Sequence, residues 1–173
     1  VKKNEITQSI KKIELLSKNI STNNLTKNNQ AINLAEWVTQ IPITYYPHGL
    51  KAAAIRFKNS LQENSKSHAI TENIVEMCHN GIIAWEQDKK IQPILIEGKN
   101  DYIKTKLLQK IIKEYFVNNS IDFRTISSPS GSIVTKLVYL IYLLDFVSIY
   151  KSIINKTDPT PVESIKYLKS KFL

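Results

Sequence analysis

Apolar residues recur at helical spacing in several segments of the chain, and short apolar runs lie between these segments. In residues 6–20 the apolar positions are four, three and three residues apart, the spacing of an amphipathic helix. Further helices are predicted over residues 30–40, 50–65, 72–78, 101–115 and 133–154, and a last one from Pro161. Strands are predicted over residues 41–46, 93–97 and 121–126. One side of the helix over residues 101–115 carries Ile103, Leu107, Ile111 and Ile112.

The order of these elements indicates the fold class. Strands that alternate with helices of a dozen or more residues favour a parallel sheet built from right-handed crossovers. The predicted class is therefore α/β. A stretch rich in Asn, Thr and Lys separates the first helix from the rest of the chain. We therefore expect an N-terminal helical arm over residues 1–29 and one domain over residues 30–173.

The last predicted helix contains a lysine at an unusual position. Residues 160–163, Thr-Pro-Val-Glu, have the pattern of a capping box with proline at the first helical position. At 100° per residue, Lys169 then lies between Val162 and Ile165, inside the apolar stripe. Such a lysine either extends its stem along the core or is placed there for chemistry.

Cysteine content and hydropathy limit the compartment. The single cysteine, Cys78, allows no internal disulfide and no thiolate zinc cage. No signal-like segment opens the chain, and the longest apolar run, Leu137–Leu144, is far shorter than the roughly 20 residues that span a bilayer. We therefore expect a soluble protein in the cytosol that does not enter a membrane.

The net charge of +9 raises the question of a polyanionic partner. Its distribution argues against nucleic acid, because the cations are almost all lysines scattered along every segment. Arg56 and Arg124 are the only arginines, and arginine is the residue that reads phosphate and guanine with paired hydrogen bonds. A solvated lysine surface is the simpler explanation, and a small anionic substrate such as a sugar phosphate would suit the charge equally.

Several common site patterns are missing. The four glycines form neither a dinucleotide fingerprint nor a P-loop, so no nucleotide or redox cofactor is expected. Glu76 and His79 form a single E-x-x-H pair, whereas di-iron bundles need two such pairs and two more glutamates. We therefore expect no metal site.

Two further segments could carry chemistry, and each has a simpler explanation. The loop over residues 127–132 follows a strand and opens a helix, so its amides and hydroxyls could hold an anion, or it could be an ordinary serine cap. Arg56, Asn59 and Glu63 share one helix face, with Glu63 in the last turn. A carboxylate there feels the negative end of the helix dipole, which suits a general base. Spacing alone equally allows a surface charge cluster.

The order and spacing of several short motifs resemble a known family. The chain is similar to the C-terminal half of the bifunctional phosphoglucose/phosphomannose isomerases of archaea and bacteria from about Ile41 to Leu173. The motifs that carry the resemblance are Pro47-His48-Gly49-Leu50, Arg56-Phe57-Lys58, residues 62–66 (Gln-Glu-Asn-Ser-Lys), Cys78-His79-Asn80, Trp85-Glu86, Gly131-Ser132, Leu144-Asp145, residues 158–162 (Asp-Pro-Thr-Pro-Val) and Leu168-Lys169.

The resemblance implies a sugar isomerase (SIS) fold, a three-layer arrangement with a five-stranded parallel sheet between helices. It also implies interconversion of glucose 6-phosphate or mannose 6-phosphate with fructose 6-phosphate, without metal or cofactor. By this resemblance Glu63 is the base that moves a proton between C1 and C2 through a cis-enediol. His79 assists ring opening, reaching the site from the neighbouring subunit of a homodimer, and Lys169 assists ring opening or stabilises charge at the sugar oxygens. Arg56, Asn64 and Asn80 are expected to contact the substrate.

The chain departs from the family in three places. Gln62 stands where the family usually has Asn, and Gly81 stands where an acidic residue is common. The largest difference is the absence of the first SIS domain, whose Gly/Ser/Thr-rich loop holds the phosphate. Residues 6–20 resemble the connector between the two domains. The sequence therefore predicts the catalytic second half of an isomerase, inactive without its first domain, with a non-catalytic sugar-phosphate-binding regulatory module as the alternative.

Overall fold

A computed structural model describes residues 2–87 and 90–172 of the chain. The helices are α1 (Lys3–Ile20), α2 (Gln30–Trp37), α3 (Lys51–Asn64), α4 (Ile74–Glu76), α5 (Ile103–Asn118), α6 (Ile133–Ile154) and α7 (Glu163–Phe172). A π-helical turn, Met77–Gly81, and a 3-10 turn, Ile83–Glu86, continue α4. The strands are β1 (Ile41–Tyr46), β2 (Ile70–Asn73), β3 (Ile91–Glu97) and β4 (Arg124–Ser127).

The four strands of the described chain form one parallel sheet in the order β2-β1-β3-β4. The predicted α/β class is confirmed, and the sheet has four strands where the resemblance implied five. Helices α1, α2, α3 and α6 cover one face, and α5 with the segment from Ile74 to Glu86 covers the other. This is a three-layer arrangement in which β1 and β3 are buried on both sides, as their apolar runs predict.

Strand β2 corrects the sequence prediction, which placed a helix over residues 72–78. Residues 70–73 pair with β1 through their backbones, from Ile43 opposite Ile70 to Tyr46 opposite Asn73. An edge strand can be held by main-chain hydrogen bonds without a strong alternation of apolar and polar side chains. The sequence of residues 70–73 therefore gives no clear signal for a strand, and the predicted helix includes its last two residues. The helix begins only at Ile74, where the Asn73 side chain caps it by accepting from the Val75 N–H at 2.8 Å.

Helix α6 is the central helix of its layer. It contacts α1, α2 and α3, and it buries Leu140, Leu144 and Val147. Among the described residues it is the one helix long and apolar enough to cross a membrane by length and composition. Here its apolar surface packs against three helices and the sheet, as that of a core helix does. Ser132 caps its first turn by accepting from the Thr135 N–H at 3.3 Å, so the structure has the serine cap at this position.

Helix α5 buries a different face from the one its sequence suggested. Ile112 and Phe116 enter the core beside Trp85 and Leu95. The other apolar residues of the expected face lie in solvent, with Ile103 70%, Leu107 56% and Ile111 52% exposed. The helix therefore has a second apolar stripe, which the described chain does not cover.

The connection between α1 and α2 is held by one buried amide. Asn29 is fully buried, and its Nδ2 donates to the carbonyls of Ile20 (3.1 Å) and Asn24 (2.8 Å). Its Oδ1 accepts from the N–H groups of Ala31 and Ile32 at 3.0 and 3.1 Å, which caps α2. This side chain joins the end of the arm of residues 1–29 to the start of α2.

We expect Asn29→Ala to lower the free energy of unfolding by about 1–3 kcal/mol, because it removes a helix cap, takes the donor from the Asn24 carbonyl and leaves the Ile20 carbonyl with the Tyr150 hydroxyl alone. Urea denaturation measures the change. The matched control is Asn28→Ala, an exposed neighbour whose side chain makes no described hydrogen bond, with an expected change below about 0.5 kcal/mol. Equal effects of the two substitutions would contradict this role.

Candidate functional site

The face of α3 that carries the predicted residues packs against α6 through a polar seam. The Arg56 guanidinium donates from Nε and Nη2 to the two carboxylate oxygens of Asp145, both at 3.1 Å, and the Ser60 hydroxyl donates to the same carboxylate at 2.7 Å. The Asn64 amide donates to Ser148 Oγ at 2.8 Å. Arg56 and Asn64, predicted to contact substrate, are thus engaged in fixing α3 on α6.

Glu63 lies beside this seam and points into solvent. It occupies the last turn of α3, and no side-chain hydrogen bond or ion pair within the described chain engages its carboxylate. Because α3 runs back from the carboxyl end of β1 toward the start of β2, this turn lies at the amino edge of the sheet. The carboxylate is free to meet a ligand there.

Lys66 ties the segment before α7 to the end of α3. Its ammonium donates to the carbonyls of Glu63 (2.8 Å), Pro159 (3.2 Å) and Pro161 (2.8 Å), which matches the three N–H donors of the group. Its backbone is left-handed, with φ of 53°, a conformation that usually requires glycine. The start of α7 is thereby held beside Glu63.

The position of Lys169 on the apolar stripe suggested that its side chain faces inward. In the described chain it does not. It is exposed, and α7 buries none of its residues; Ile165 is 45% and Leu168 55% exposed. The stripe exists, but within residues 2–87 and 90–172 none of the residues of α7 is buried. Position on a helix predicts which residues share a face, whereas burial of that face needs a second surface.

The expected capping box at α7 is also absent. The Thr160 N–H donates to the Asp158 carboxylate at 2.9 Å in a local turn. In a capping box the same N–H would donate to the Glu163 carboxylate. Glu163 binds Lys166 instead, at 2.7 Å. The helix therefore starts at Glu163, two residues later than predicted. The backbone bond to Thr160 lowers the pKa of Asp158, and nearby Lys66 adds to this effect.

His79 and Asn80 lie in the opposite layer. Both are exposed in the π-helical turn, whose neighbours Met77 and Trp85 belong to the core cluster on the α5 side of the sheet. No hydrogen bond or ion pair of the described chain joins His79 to Glu63 or Lys169. The structure thus places Glu63 and Asn64 at the end of α3, beside the start of α7, and Arg56 about two turns earlier on the same helix. His79 lies in the other layer.

Next to His79, a carboxylate occupies the space left by Gly81. A Cβ at position 81 would lie 2.8 Å from Oε2 of Glu72, and Glu72 lines a cavity of about 430 Å³ with Tyr45, Trp85 and other residues. Burial raises the pKa of Glu72, and the nearby Glu76 carboxylate raises it further. The carboxylate beside position 81 thus comes from β2.

Two lysines near the site were missed by the sequence reasoning. Lys66 was noted only as part of a motif, since a left-handed lysine at a helix end has no signature in the sequence. Lys151, in the last turn of α6, is only 8% exposed, and burial lowers its pKa. The sequence did offer a signal for the burial of Lys151, because it lies in an otherwise largely apolar helix. Within the described residues no group of three His, Cys, Asp or Glu side chains could hold a metal ion.

Comparison with known proteins identifies related sequences. A sequence model described as the bacterial phospho-glucose isomerase C-terminal SIS domain matches residues 27–172. The bifunctional phosphoglucose/phosphomannose isomerase of Caldicellulosiruptor bescii is 32% identical over 149 residues, which cover 80% of this chain and 44% of that protein. The Aquifex aeolicus protein of the same description is 29% identical over 75% of this chain and 41% of its own length. The chain thus spans less than half the length of the curated relatives it matches.

Solved structures share the fold. A glucose-6-phosphate isomerase-like protein from Thermus thermophilus aligns with a TM-score of 0.71 at 13% identity, over 91% of this chain and 52% of that one. The C-terminal domain of glucosamine-fructose-6-phosphate aminotransferase from Francisella tularensis aligns with a TM-score of 0.60 at 17% identity, over 90% and 44%. At these identities the likeness establishes the SIS architecture alone.

We expect Lys66→Met to release the start of α7, because it removes three charge-assisted hydrogen bonds and α7 buries no residue in the described chain. Hydrogen exchange of the amides of residues 162–168 should accelerate by about tenfold or more, while exchange in α6 stays unchanged. Lys66→Arg keeps the charge and several donors, so it should retain most of the protection. Equal exchange in Lys66→Met and the unmodified protein would contradict the tether.

Cys78 provides a chemical probe of Glu72. Burial raises the pKa of the Cys78 thiol, and the Glu72 carboxylate raises it further. Glu72→Gln removes the second cause, so the thiol pKa should fall and more thiolate should exist at a given pH below it. The rate of alkylation by iodoacetamide should rise roughly twofold to fivefold near pH 8. Glu86→Gln, an exposed neighbour, is the control; the same increase there would refute a specific effect.

Proposed function

The chain belongs to the C-terminal SIS domain family of the bacterial phosphoglucose isomerases, and we propose that it is the catalytic second half of a glucose-6-phosphate/mannose-6-phosphate isomerase. The relatives are bifunctional phosphoglucose/phosphomannose isomerases. The side-chain types expected for this chemistry are present as Glu63, His79 and Lys169. The reaction converts either aldose to fructose 6-phosphate in the cytosol, without a metal or cofactor.

The observation that best supports this proposal is the link made by Lys66. Its ammonium lies 2.8 Å from the carbonyl of Glu63 and 2.8 Å from that of Pro161. The helix bearing the proposed cation therefore begins beside the proposed base. An isomerase needs these two groups on either side of one substrate, and the tether gives α7 a fixed origin from which Lys169 reaches it.

Glu63 acts as the base in the proposed mechanism. Its carboxylate takes the proton from C2 of the open-chain aldose, and the C–H electrons form the C1–C2 double bond while O1 gains a proton, which gives the cis-enediol. The proton held by Glu63 then goes to C1 and the O2 hydroxyl gives up its proton in place of the one that O1 gained, so that the carbonyl forms at C2 of the ketose. A proton next to a carbonyl becomes removable when the developing charge on oxygen is stabilised by a nearby cation. Lys169 supplies that cation. The exposed carboxylate of Glu63 at the end of α3 is accessible for this step.

The seam between α3 and α6 gives Arg56 and Asn64 a positioning part beside their proposed contact with substrate. The paired bonds of Arg56 to Asp145 and the bond of Asn64 to Ser148 hold α3 on α6 near its middle and at its last residue. A base must be held to within a fraction of an ångström to be effective. Asn80, next to His79, is proposed to bind the sugar with it.

The proposed enzyme needs more than this chain. His79 lies across the sheet from Glu63, which fits a site completed by His79 of a second copy in a homodimer. The match covers only 44% and 41% of the two relatives, and a first SIS domain is proposed to hold the phosphate. The exposed apolar stripes of α5 and α7 are surfaces that these partners would cover. Alone, the chain is expected to be inactive.

We expect Glu63→Gln to reduce isomerisation of fructose 6-phosphate by about 10²–10⁴-fold when the chain is assayed with its first SIS domain, because the amide cannot accept the proton. Loss of exchange of the C1 proton of fructose 6-phosphate with D₂O isolates this step. Glu36→Gln, an exposed glutamate on α2, is the control and should keep full activity.

Near-normal turnover of Glu63→Gln would refute the assignment of the base. If the unmodified assembly bound fructose 6-phosphate without converting it or exchanging its C1 proton, the proposal of an enzyme would fall and the regulatory-module alternative would replace it.

A further inference from the structure

A polar cavity lies at the carboxyl ends of the strands, whereas the candidate base Glu63 lies at their amino ends. It has a volume of about 300 Å³, within the lower range of small-molecule sites, and it is formed where β3 and β4 end. Its lining consists of Glu97, Gly98, Lys99, Lys106, Gln109, Lys113 and Ser127. In open parallel sheets, ligands usually bind outside the carboxyl ends of the strands. Glu63, at the amino edge, does not use this position.

Positively charged side chains line the cavity from one face of α5 and from the loop after β3. Lys106, Gln109 and Lys113 are three and four residues apart, so they lie on the same side of the helix. The buried Gln109 amide donates to the Ile96 carbonyl at 2.9 Å and holds this face against β3. Three lysines against one glutamate leave a formal charge of +2 around the opening.

The carboxylates nearest the cavity are already neutralised by other lysines. Glu97 accepts from Lys113 at 2.6 Å. Asp101 pairs with Lys136 at 3.6 Å, with both side chains about nine-tenths buried. Within residues 2–87 and 90–172, neither Lys99 nor Lys106 forms an ion pair. Two cations therefore remain for an external anion.

The loop that carries Lys99 is held in place by its own bonds. Asp101 Oδ2 accepts from the Gly98 N–H at 2.7 Å, and a Cβ at position 98 would collide with the same carboxylate. The Lys99 N–H donates to Ser128 Oγ at 3.2 Å, which joins the loops after β3 and β4. The adjacent Ser127 hydroxyl makes no side-chain hydrogen bond within the described chain and lines the cavity. The site is thus organised before any ligand arrives.

We propose that this cavity binds a phosphoryl dianion, either free phosphate or the phosphoryl group of a small metabolite. Lys99 and Lys106 supply the compensating charge, and the Ser127 hydroxyl donates a hydrogen bond to a phosphoryl oxygen. The +2 charge matches a dianion. This site is separate from the catalytic residues proposed above, since it lies at the other edge of the sheet and in the layer of α5. It does not depend on the isomerase assignment.

Amide NMR titration with inorganic phosphate and with glycerol 3-phosphate, at about 150 mM NaCl to screen diffuse attraction, tests the proposal. The amides of Gly98, Lys99 and Ser127 should shift in a saturable way, while neutral glycerol should have no effect. Lys99→Gln and Lys106→Gln should each weaken binding about tenfold. Lys104→Gln is the matched control, because Lys104 is exposed on the same helix about 200° away from Lys106, and it should change binding less than twofold.

Tighter binding of glycerol 3-phosphate than of inorganic phosphate would identify a metabolite as the ligand, and equal binding would identify free phosphate. The proposal is overturned if Lys104→Gln weakens binding as much as Lys106→Gln, because the attraction would then come from the general basic surface. Shifts spread over all lysine-rich segments, or no shift at about 10 mM phosphate, would overturn it as well.

Discussion

The burial of α6 is the constraint on which most of this structure depends. This largely apolar helix of 22 residues buries ten of them, on more than one side, and one sheet face cannot cover them alone. Helices α1, α2 and α3 surround it, so that Leu16 and Ile20 of the N-terminal arm enter the same core cluster as α3. The arm is thereby part of the packing of this layer.

The same packing explains where the candidate catalytic residues lie. Asp145 and Ser148 are the polar positions of α6 on the side that meets α3, and they receive Arg56, Ser60 and Asn64. This seam fixes the end of α3, which presents Glu63. Because α6 ends at the same edge of the sheet, the chain that leaves it passes Lys66 and begins α7 there. Core packing and the position of the proposed base thus have one common cause.

The sequence predicts the buried helices and strands well. It predicts poorly the elements whose position depends on backbone pairing or on a local turn. The apolar runs of β1, β3 and α6 are direct consequences of burial on several sides, so periodicity finds them. Strand β2 depends on pairing with β1, and the start of α7 depends on Asp158 taking a donor. The residue types of the candidate site were recognised from motifs. Their separation into two layers, and the exposure of Lys169, follow from the tertiary arrangement, which spacing along one helix does not determine.

The domain therefore has two chemically different ends. At the amino ends of the strands, the unengaged carboxylate of Glu63 lies near the start of α7, an amphipathic helix that buries none of its residues in the described chain. At the carboxyl edge, a loop fixed by Asp101 and an array of lysines form a cavity from this chain alone. The proposed catalytic site would need a further surface over α7, whereas the cavity is formed by the fold itself. One parallel sheet can carry both features, because the closely packed core separates the amino ends of its strands from their carboxyl ends.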